Sequence, residues 1–298
     1  MKLSFTTVDV FTTTRYQGNP LSIIRVPSEY KSALTQSQKQ AIAKEFNLSE
    51  IVFLHLPSPD SPPSKERNID IFTSYAEVPF AGHPTVGTSF YLLETTGEDI
   101  EKLITKAGPI SIARDGEGEV KAFIPQAFHI HAKTFKSPLT AEMEHPIVSI
   151  VKGMSFIYVE LPSLSALEKV ALGTENGNLV FNTYQGHPHL DEGWQVGLVG
   201  TMYFVDMGKE GGKWRYRTRM IASREDPGTG SASSGLAGLL ALRKVVGGEG
   251  RESFAFTQGV EMGRQCEISV EVVLGGGEVK EVYLGGSAVV VMEGNLEV

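Results

Sequence analysis

The chain has 298 residues, 41% of them hydrophobic, so it can bury one large core or two cores of ordinary domain size. Its 35 acidic and 27 basic residues give a net charge of −8, which argues against nucleic acid as a partner, because phosphate contacts need clustered lysine or arginine. A single cysteine, Cys266, excludes an internal disulfide and a zinc site built on several thiolates.

The first residues alternate in polarity and show no apolar segment of the kind found in a signal peptide. The longest clear apolar run, residues 288–292, is far too short to span a bilayer. We therefore expect a cytoplasmic protein that does not interact with membranes.

Strand patterns dominate the chain. Short runs of β-branched or aromatic residues, bounded by turn residues, predict strands at 5–11, 51–56, 69–73, 120–124, 156–161, 179–183, 202–207, 214–221, 253–257, 268–274 and 288–292. Most of the 32 glycines fall between these runs, where tight turns require them.

Four segments predict helices, at 35–46, 84–94, 163–172 and 230–243. The first begins with a capping-box pattern formed by Thr35 and Gln38. The second and fourth lack a polar face, and a helix that is apolar all round is expected to be buried.

This order of elements occurs twice, which predicts an α+β protein of two pseudo-symmetric halves. We expect each half to be a curved, mostly antiparallel sheet or barrel around its own central buried helix. The expected halves are residues 1–130 and 131–280, with a terminal strand at about 281–298 packing back onto the first. Residues 131–145, which include Pro138, are the best linker candidate.

The first buried helix starts within residues 80–87, Phe-Ala-Gly-His-Pro-Thr-Val-Gly. Pro84 suits the first turn of a helix, and Gly82 and Gly87 allow close approach of the backbone. The free N–H groups at such a start favour an anion such as a carboxylate, and His83 would point into that site. Alternatively, the start is buried for packing and His83 is merely hydrogen-bonded.

The second buried helix starts within residues 225–232, Glu-Asp-Pro-Gly-Thr-Gly-Ser-Ala. Asp226 and Pro227 set a turn, and Thr229 or Ser231 can cap the helix. The pattern approaches a dinucleotide fingerprint, but Ser233 stands where the third glycine belongs. Anion binding by backbone N–H groups and a capped core helix are the interpretations left.

Glu50 lies at the head of an apolar strand. Partial desolvation there raises the pKa of a carboxylate and suits it to acid/base catalysis, although Asn47 and Glu50 also fit a local capping box. His129 and His131 alternate on a strand and are expected at the surface. The sequence shows no third ligand to join them, so it predicts no metal site.

Several of these segments together resemble the phenazine-biosynthesis PhzF-like family, which has the diaminopimelate-epimerase fold. The matching motifs occur in the family's order and span most of the chain: residues 8–12, 18–20, 47–50, 80–87, 225–227, 229–232, 258–259, 262–264 and 284–286.

The resemblance implies an active site between two halves, with Glu50 as the acid/base carboxylate. It places His83 and Asp226 among the catalytic residues, and it implies a substrate-binding set of Asn19, Ser49, Gly82, Thr229, Gly230 and Ser231. Related epimerases use two thiols, which one cysteine excludes here. A homodimer is a further expectation from the family.

The leading hypothesis is a cofactor-independent isomerase or epimerase that moves a proton on a small carboxylic acid by carboxylate chemistry. It requires no metal. A different class remains open, a non-catalytic protein that binds a small acid and retains the fold. A nucleotide-dependent enzyme that uses the glycines at 228–230 as a phosphate loop is the third hypothesis.

Overall fold

The computed structural model describes residues 1–137, 140, 143–170, 189–222, 224–245 and 247–298. The described chain forms two compact units, Met1–Ile124 with Leu284–Val298, and Pro125–Tyr283. The predicted strand at 179–183 lies outside the described residues. Each unit consists of strands with few helices, which confirms the prediction of an α+β fold.

The described strands of the first unit are β1 (Lys2–Val10), β2 (Asn19–Val26), β3 (Ile51–His55), β4 (Glu66–Phe72), β5 (Glu77–Val78), β6 (Lys102–Thr105), β7 (Gly108–Arg114), β8 (Val120–Phe123) and the final strand, β18 (Ala288–Glu297). Its α-helices are α1 (Gln36–Phe46) and α2 (Gly82–Phe90). The helix predicted at 84–94 thus starts two residues earlier, and it continues beyond α2 as one π-helical turn, Tyr91–Thr95.

The described strands of the second unit are β9 (His129–Lys136), β10 (Glu144–Val151), β11 (Gly153–Glu160), β12 (Gly197–Glu210), β13 (Lys213–Ile221), β14 (Glu225–Asp226), β15 (Gly250–Gln258), β16 (Cys266–Gly275) and β17 (Glu278–Gly286). The last residues of β17, from Leu284 onwards, belong to the first unit. The described α-helices of the second unit are α3 (Leu164–Glu168) and α4 (Gly230–Lys244).

Strand pairing shows that the two units share one topology. In the first unit β1 and β2 are antiparallel, β2 and β3 parallel, β3 and β4 antiparallel, and β4 and β6 parallel. In the second unit β10 to β13 and then β15 repeat this series in the same order. The two-residue strands β5 and β14 precede the two buried helices at the same place in each series. The predicted pseudo-symmetry is confirmed.

The two central helices are buried because small residues face the strands around them. All residues of α2 from Gly82 to Ser89 are buried, as are those of α4 from Gly230 to Ala241. A Cβ on Gly87 would lie 2.6 Å from Leu21 and 2.7 Å from Val10, and a Cβ on Gly235 would lie 2.3 Å from the Tyr158 hydroxyl. Glycine is therefore required at both contacts.

In each unit a charged side chain joins the outer helix to the equivalent strand. The outer helices are α1, which contacts β4, and α3, which contacts β13. In the first unit Lys39 of α1 donates to the Asp70 carboxylate of β4 at 2.5 Å, and His55 Nε2 lies 2.8 Å from the same oxygen. In the second unit Arg219 of β13 donates to carbonyl groups at the end of α3, including that of Val170 at 2.7 Å. Polar groups thus fix the position of both outer helices.

Two expectations from the sequence were wrong. Residues 131–136 and 144–145 of the expected linker are not a linker, because they belong to the paired strands β9 and β10, whereas residues 138, 139, 141 and 142 lie outside the described chain. Pro146 is tolerated in β10 because the register shifts beside it. The third helix was expected at 163–172, but α3 ends at Glu168. Its cap, the Ser163 hydroxyl accepting from the Ala166 N–H, fits the predicted start.

The longest described helix, α4, has 15 residues. No helix in the described part of the chain has both the length and the apolar character needed to cross a membrane.

The Asp70 cluster predicts a specific pH dependence of stability. Burial alone would raise the pKa of Asp70, but hydrogen bonds from His55 and Lys39 outweigh it and lower the pKa from 3.8 to about 2. The ionised carboxylate therefore stabilises the fold above pH 3.8, by about 2 kcal/mol, and this contribution is lost as the pH falls from 3.8 towards 2.

We expect Asp70→Asn to lower the free energy of unfolding at pH 6 by at least about 2 kcal/mol, with a smaller deficit at pH 2.5. Urea unfolding at both pH values measures this. The exposed Asp60→Asn is the control and should change stability by less than about 0.5 kcal/mol at either pH. A deficit that does not shrink in acid would contradict the account.

Candidate active site

Glu50 and His83 meet at the start of the buried helix α2. His83 Nδ1 lies 3.1 Å from Glu50 Oε2, and the two side chains are 3% and 19% exposed. With Glu50 ionised, Nδ1 must carry the hydrogen and donate it, because a carboxylate only accepts. The pair is a mostly buried carboxylate–imidazole unit, which can hold or move a proton.

The end of α1 positions Glu50. Asn47 is the C-cap of that helix in the left-handed conformation, with φ of 50°, and its N–H donates to the Ala43 carbonyl. The chain then enters β3 directly after Glu50. Asn47 therefore ends a helix and starts none, and the alternative of a capping box between Asn47 and Glu50 is wrong.

The second nitrogen of His83 is buried without a hydrogen-bond partner among the described residues. In a neutral ring with hydrogen on Nδ1, this Nε2 atom is an acceptor, and in a charged ring it is a donor. An unpaired polar atom at a buried position costs free energy, so it indicates a place for a ligand group or a water molecule.

The start of α2 presents backbone N–H groups. No side chain in the described chain caps it, and its first internal bond runs from Thr85 N–H to the Ala81 carbonyl. The N–H groups of Gly82 and His83 precede that bond, while Pro84 has none to offer. Two donors and the positive end of the helix dipole therefore face away from the helix, as in anion sites.

Two further expected site residues, Asn19 and Ser49, contact each other. Ser49 donates to the Asn19 side-chain oxygen at 3.3 Å, and Asn19 is 1% exposed at the start of β2. The structure therefore joins Asn19 to Ser49, and Glu50 to His83, within the first unit.

The start of α4 in the second unit is organised differently. Thr229 is its N-cap residue, but its hydroxyl donates to the Asp226 carboxylate at 2.5 Å and does not cap the helix. The expectation that Thr229 caps is therefore wrong. No side chain of the described residues caps α4, so the N–H groups of Gly230 and Ser231 begin the helix without one.

Gln258 holds this turn together, a role that sequence analysis missed. Its amide nitrogen donates to the Asp226 carbonyl at 2.7 Å and to the Thr229 hydroxyl at 3.1 Å, and its oxygen accepts from the Thr229 N–H at 3.2 Å. The side chain is fully buried. A Cβ on Gly259 would lie 2.6 Å from the Pro227 carbonyl, so glycine is needed there too. The Gln-Gly motif was visible in the sequence, but its target was not.

Arg219 fixes the residue before Asp226. Its guanidinium forms two bonds to the Glu225 carboxylate, at 2.7 and 2.8 Å, and both side chains are 8% exposed. This bidentate geometry is the strongest form of such a pair. Because Glu225 and Asp226 form β14, the pair also fixes where Asp226 begins the turn.

The two histidines expected at the surface differ. His129 is partly exposed, but His131 is 3% exposed, so the expectation was wrong for His131. Burial and the nearby His129 lower the pKa of His131 to about 4, which keeps this imidazole neutral near pH 7.

Comparison with known proteins agrees with this fold and these motifs. The family model described as phenazine biosynthesis-like protein matches residues 8–294. A protein of Mesorhizobium japonicum described as an uncharacterized isomerase is 33% identical, over 97% of this chain and 96% of its own length. The trans-2,3-dihydro-3-hydroxyanthranilate isomerase of Pseudomonas aeruginosa is 28% identical, over 97% of this chain and 98% of its own.

A solved structure shows the same fold. The PhzF-family phenazine biosynthesis protein of Bacillus anthracis superposes with a TM-score of 0.73 at 22% identity, and the match covers both chains completely. The chain belongs to the phenazine biosynthesis-like family. It is an isomerase of that family, as the sequence predicted.

The Gln258 network predicts a measurable loss of stability. Gln258→Met keeps the length of the side chain but leaves the partly buried Asp226 carbonyl and the buried Thr229 N–H without this partner. We expect the free energy of unfolding to fall by about 1–3 kcal/mol in urea titrations. Gln265→Met, at an exposed glutamine, is the control and should stay within about 0.5 kcal/mol of wild type. Equal effects of the two changes would refute the role of Gln258.

Proposed function

We propose that this isomerase moves a proton from one carbon to another on a small carboxylic acid, and that Glu50 carries the proton. The observation that carries the proposal is the buried pair of Glu50 Oε2 and His83 Nδ1, 3.1 Å apart, at an uncapped helix start. A proton shift leaves atoms and electrons in balance, so the reaction as proposed needs no oxidant, reductant or cofactor.

In the proposed reaction Glu50 takes a proton from a C–H next to a conjugated or carboxylate-bearing carbon and later returns it elsewhere on the same face. His83 donates to Glu50 through Nδ1, which orients the carboxylate. Its unpaired Nε2 is then available for a polar group of the substrate. A positioned acid/base group of this kind contributes about 100- to 10,000-fold to a rate.

Proton removal leaves negative charge on the substrate, which needs stabilisation. The N–H groups of Gly82 and His83 at the start of α2 are proposed to stabilise it, because preorganised donors act strongly where water is excluded. Asn19 and Ser49, which are joined by a hydrogen bond, are proposed to contact the substrate beside them.

The second unit is proposed to serve the same reaction. Gly230 and Ser231 offer N–H groups for the substrate carboxylate, and Asp226, with Thr229 on its carboxylate, positions the substrate or acts as a second proton carrier. Gln258 and Arg219 touch no substrate in this scheme. They are positioning residues, because they hold the turn and its entry.

The substrate class follows from the anion-binding donors and from the relatives. The Pseudomonas aeruginosa relative is named for trans-2,3-dihydro-3-hydroxyanthranilate, a small ring acid, and this compound is the first probe that we propose. The relatives described as isomerases are not all named for this compound, so other small acids with an activated C–H belong in the same panel. The homodimer stays a prediction.

We expect Glu50→Gln to lower kcat for the best acid of the panel by about 100- to 10,000-fold with little change in binding, because the amide accepts no proton at neutral pH. Product formation followed by NMR, together with calorimetric binding of the same acid, measures both quantities. Glu45→Gln, which changes an exposed carboxylate on α1, is the matched control and should keep wild-type kinetics.

The outcomes separate the alternatives. Turnover by Glu50→Gln at the wild-type rate would overturn the role of Glu50. Saturable binding of an acid by wild type, with no turnover of any member of the panel, would instead favour the non-catalytic binding protein. Stabilisation by ATP or NAD in thermal-shift measurements would favour the nucleotide-dependent enzyme.

A further inference from the structure

His129, His131 and Asp191 converge in the second unit and share no residue with the proposed reaction. One nitrogen or oxygen from each lies within 4.8 Å of the others, and within the described ranges this is the one group of three such ligands. Asp191 Oδ2 is 2.8 Å from His129 Nε2 and 3.8 Å from His131 Nδ1. The sequence showed the two histidines, and the structure adds the third ligand.

We propose that these three residues form a binding site for a divalent transition-metal ion such as Zn²⁺. Two imidazoles and a carboxylate are a ligand set that such ions prefer. Metal–ligand bonds of about 2.0–2.1 Å in tetrahedral geometry place ligand atoms roughly 3.3 Å apart, and the two measured separations lie on either side of that value. Shifts of about half an ångström bring these two separations into range, and the ligand atoms of the two imidazoles lie within 4.8 Å of each other.

The fold presents His131 in the tautomer that a ligand through Nδ1 needs. The Asp191 backbone N–H donates to His131 Nδ1 at 3.1 Å, so Nδ1 is an acceptor, and Nε2–H points to the Ser149 hydroxyl at 2.8 Å. Ser149 is in turn bonded to Ser155 at 2.6 Å. In metal sites the ring nitrogen that does not bind the ion commonly donates to a second group, which fixes the ring. The Nε2–H of His131, which points to Ser149, has this arrangement.

Binding must replace existing hydrogen bonds, which limits the affinity. The ion takes the place of the hydrogen between His129 Nε2 and the Asp191 carboxylate, and it competes with the Asp191 N–H for His131 Nδ1. We therefore expect micromolar affinity rather than the much tighter binding of closed structural zinc sites.

The surroundings hold the ligands in place. His129 and His131 share one face of β9, with ring centres 4.8 Å apart, and the Trp194 ring stacks on His129 at 4.6 Å. Leu190, directly before Asp191, is 2% exposed within the core of the unit. The site therefore ties β9 to the segment around Asp191, and Trp194 provides a local optical probe.

The test is a calorimetric titration of the full chain, freed of metal by chelation, with Zn²⁺ alone at pH 7.5. We expect one ion per chain, and a Kd at least tenfold weaker in His129→Gln and in Asp191→Asn. Glu192→Gln, which changes the exposed neighbouring carboxylate, is the matched control and should bind as wild type does. Absence of binding to wild type, or equal binding by all four proteins, overturns the proposal.

A second measurement covers the case in which a variant does not fold. Trp214→Phe leaves Trp194 as the sole tryptophan of the chain, which has two. Co²⁺ at the proposed site should quench its fluorescence, with saturation at one equivalent and recovery on adding EDTA. Quenching that rises without saturation contradicts the site, whatever the variants do.

Discussion

The structure depends on two helices whose first turns are buried and uncapped. The N–H groups at a helix start need acceptors, and neither α2 nor α4 receives one from a side-chain cap in the described chain. Burial of Gly82 and Gly230 keeps bulk water from meeting that need freely. The glycines against Leu21 and Tyr158 let these helices pack closely against their strands. A small anion is the group proposed to satisfy these donors, and for this reason the proposed substrate is an acid.

The two units share one strand topology, but the groups proposed to carry the reaction differ between them. The register equates Glu77 and Val78 of β5 with Glu225 and Asp226 of β14, so the carboxylate of Asp226 has an apolar counterpart in the first unit. Glu50 and its partner His83 belong to the first unit alone. The repeated topology supplies two buried helix starts with N–H donors, while the proposed acid/base groups differ between the two units.

Much of this was predictable from sequence because the signals were local. The capping box of Thr35 and Gln38, the apolar helices and the glycine-rich helix starts each depend on neighbouring residues, and all were confirmed. Hydrogen bonds between residues that are far apart in the sequence were not predictable. Gln258 meets Thr229 across 29 positions, and Asp191 meets His131 across 60, so their roles emerged only when the strands were paired. The linker expected at 131–145 was wrong because residues 131–136 and 144–145 belong to the paired strands β9 and β10, and pairing between strands is not visible in a local pattern.

The central claim is that Glu50, supported by His83, transfers a proton on a small acid. Solvent-deuterium incorporation, followed by NMR over a panel of small amino, hydroxy and cyclic-diene acids, tests it most directly. The account predicts deuterium at a single carbon of at least one acid with wild type and none with Glu50→Gln. Incorporation at the wild-type rate by Glu50→Gln would contradict it.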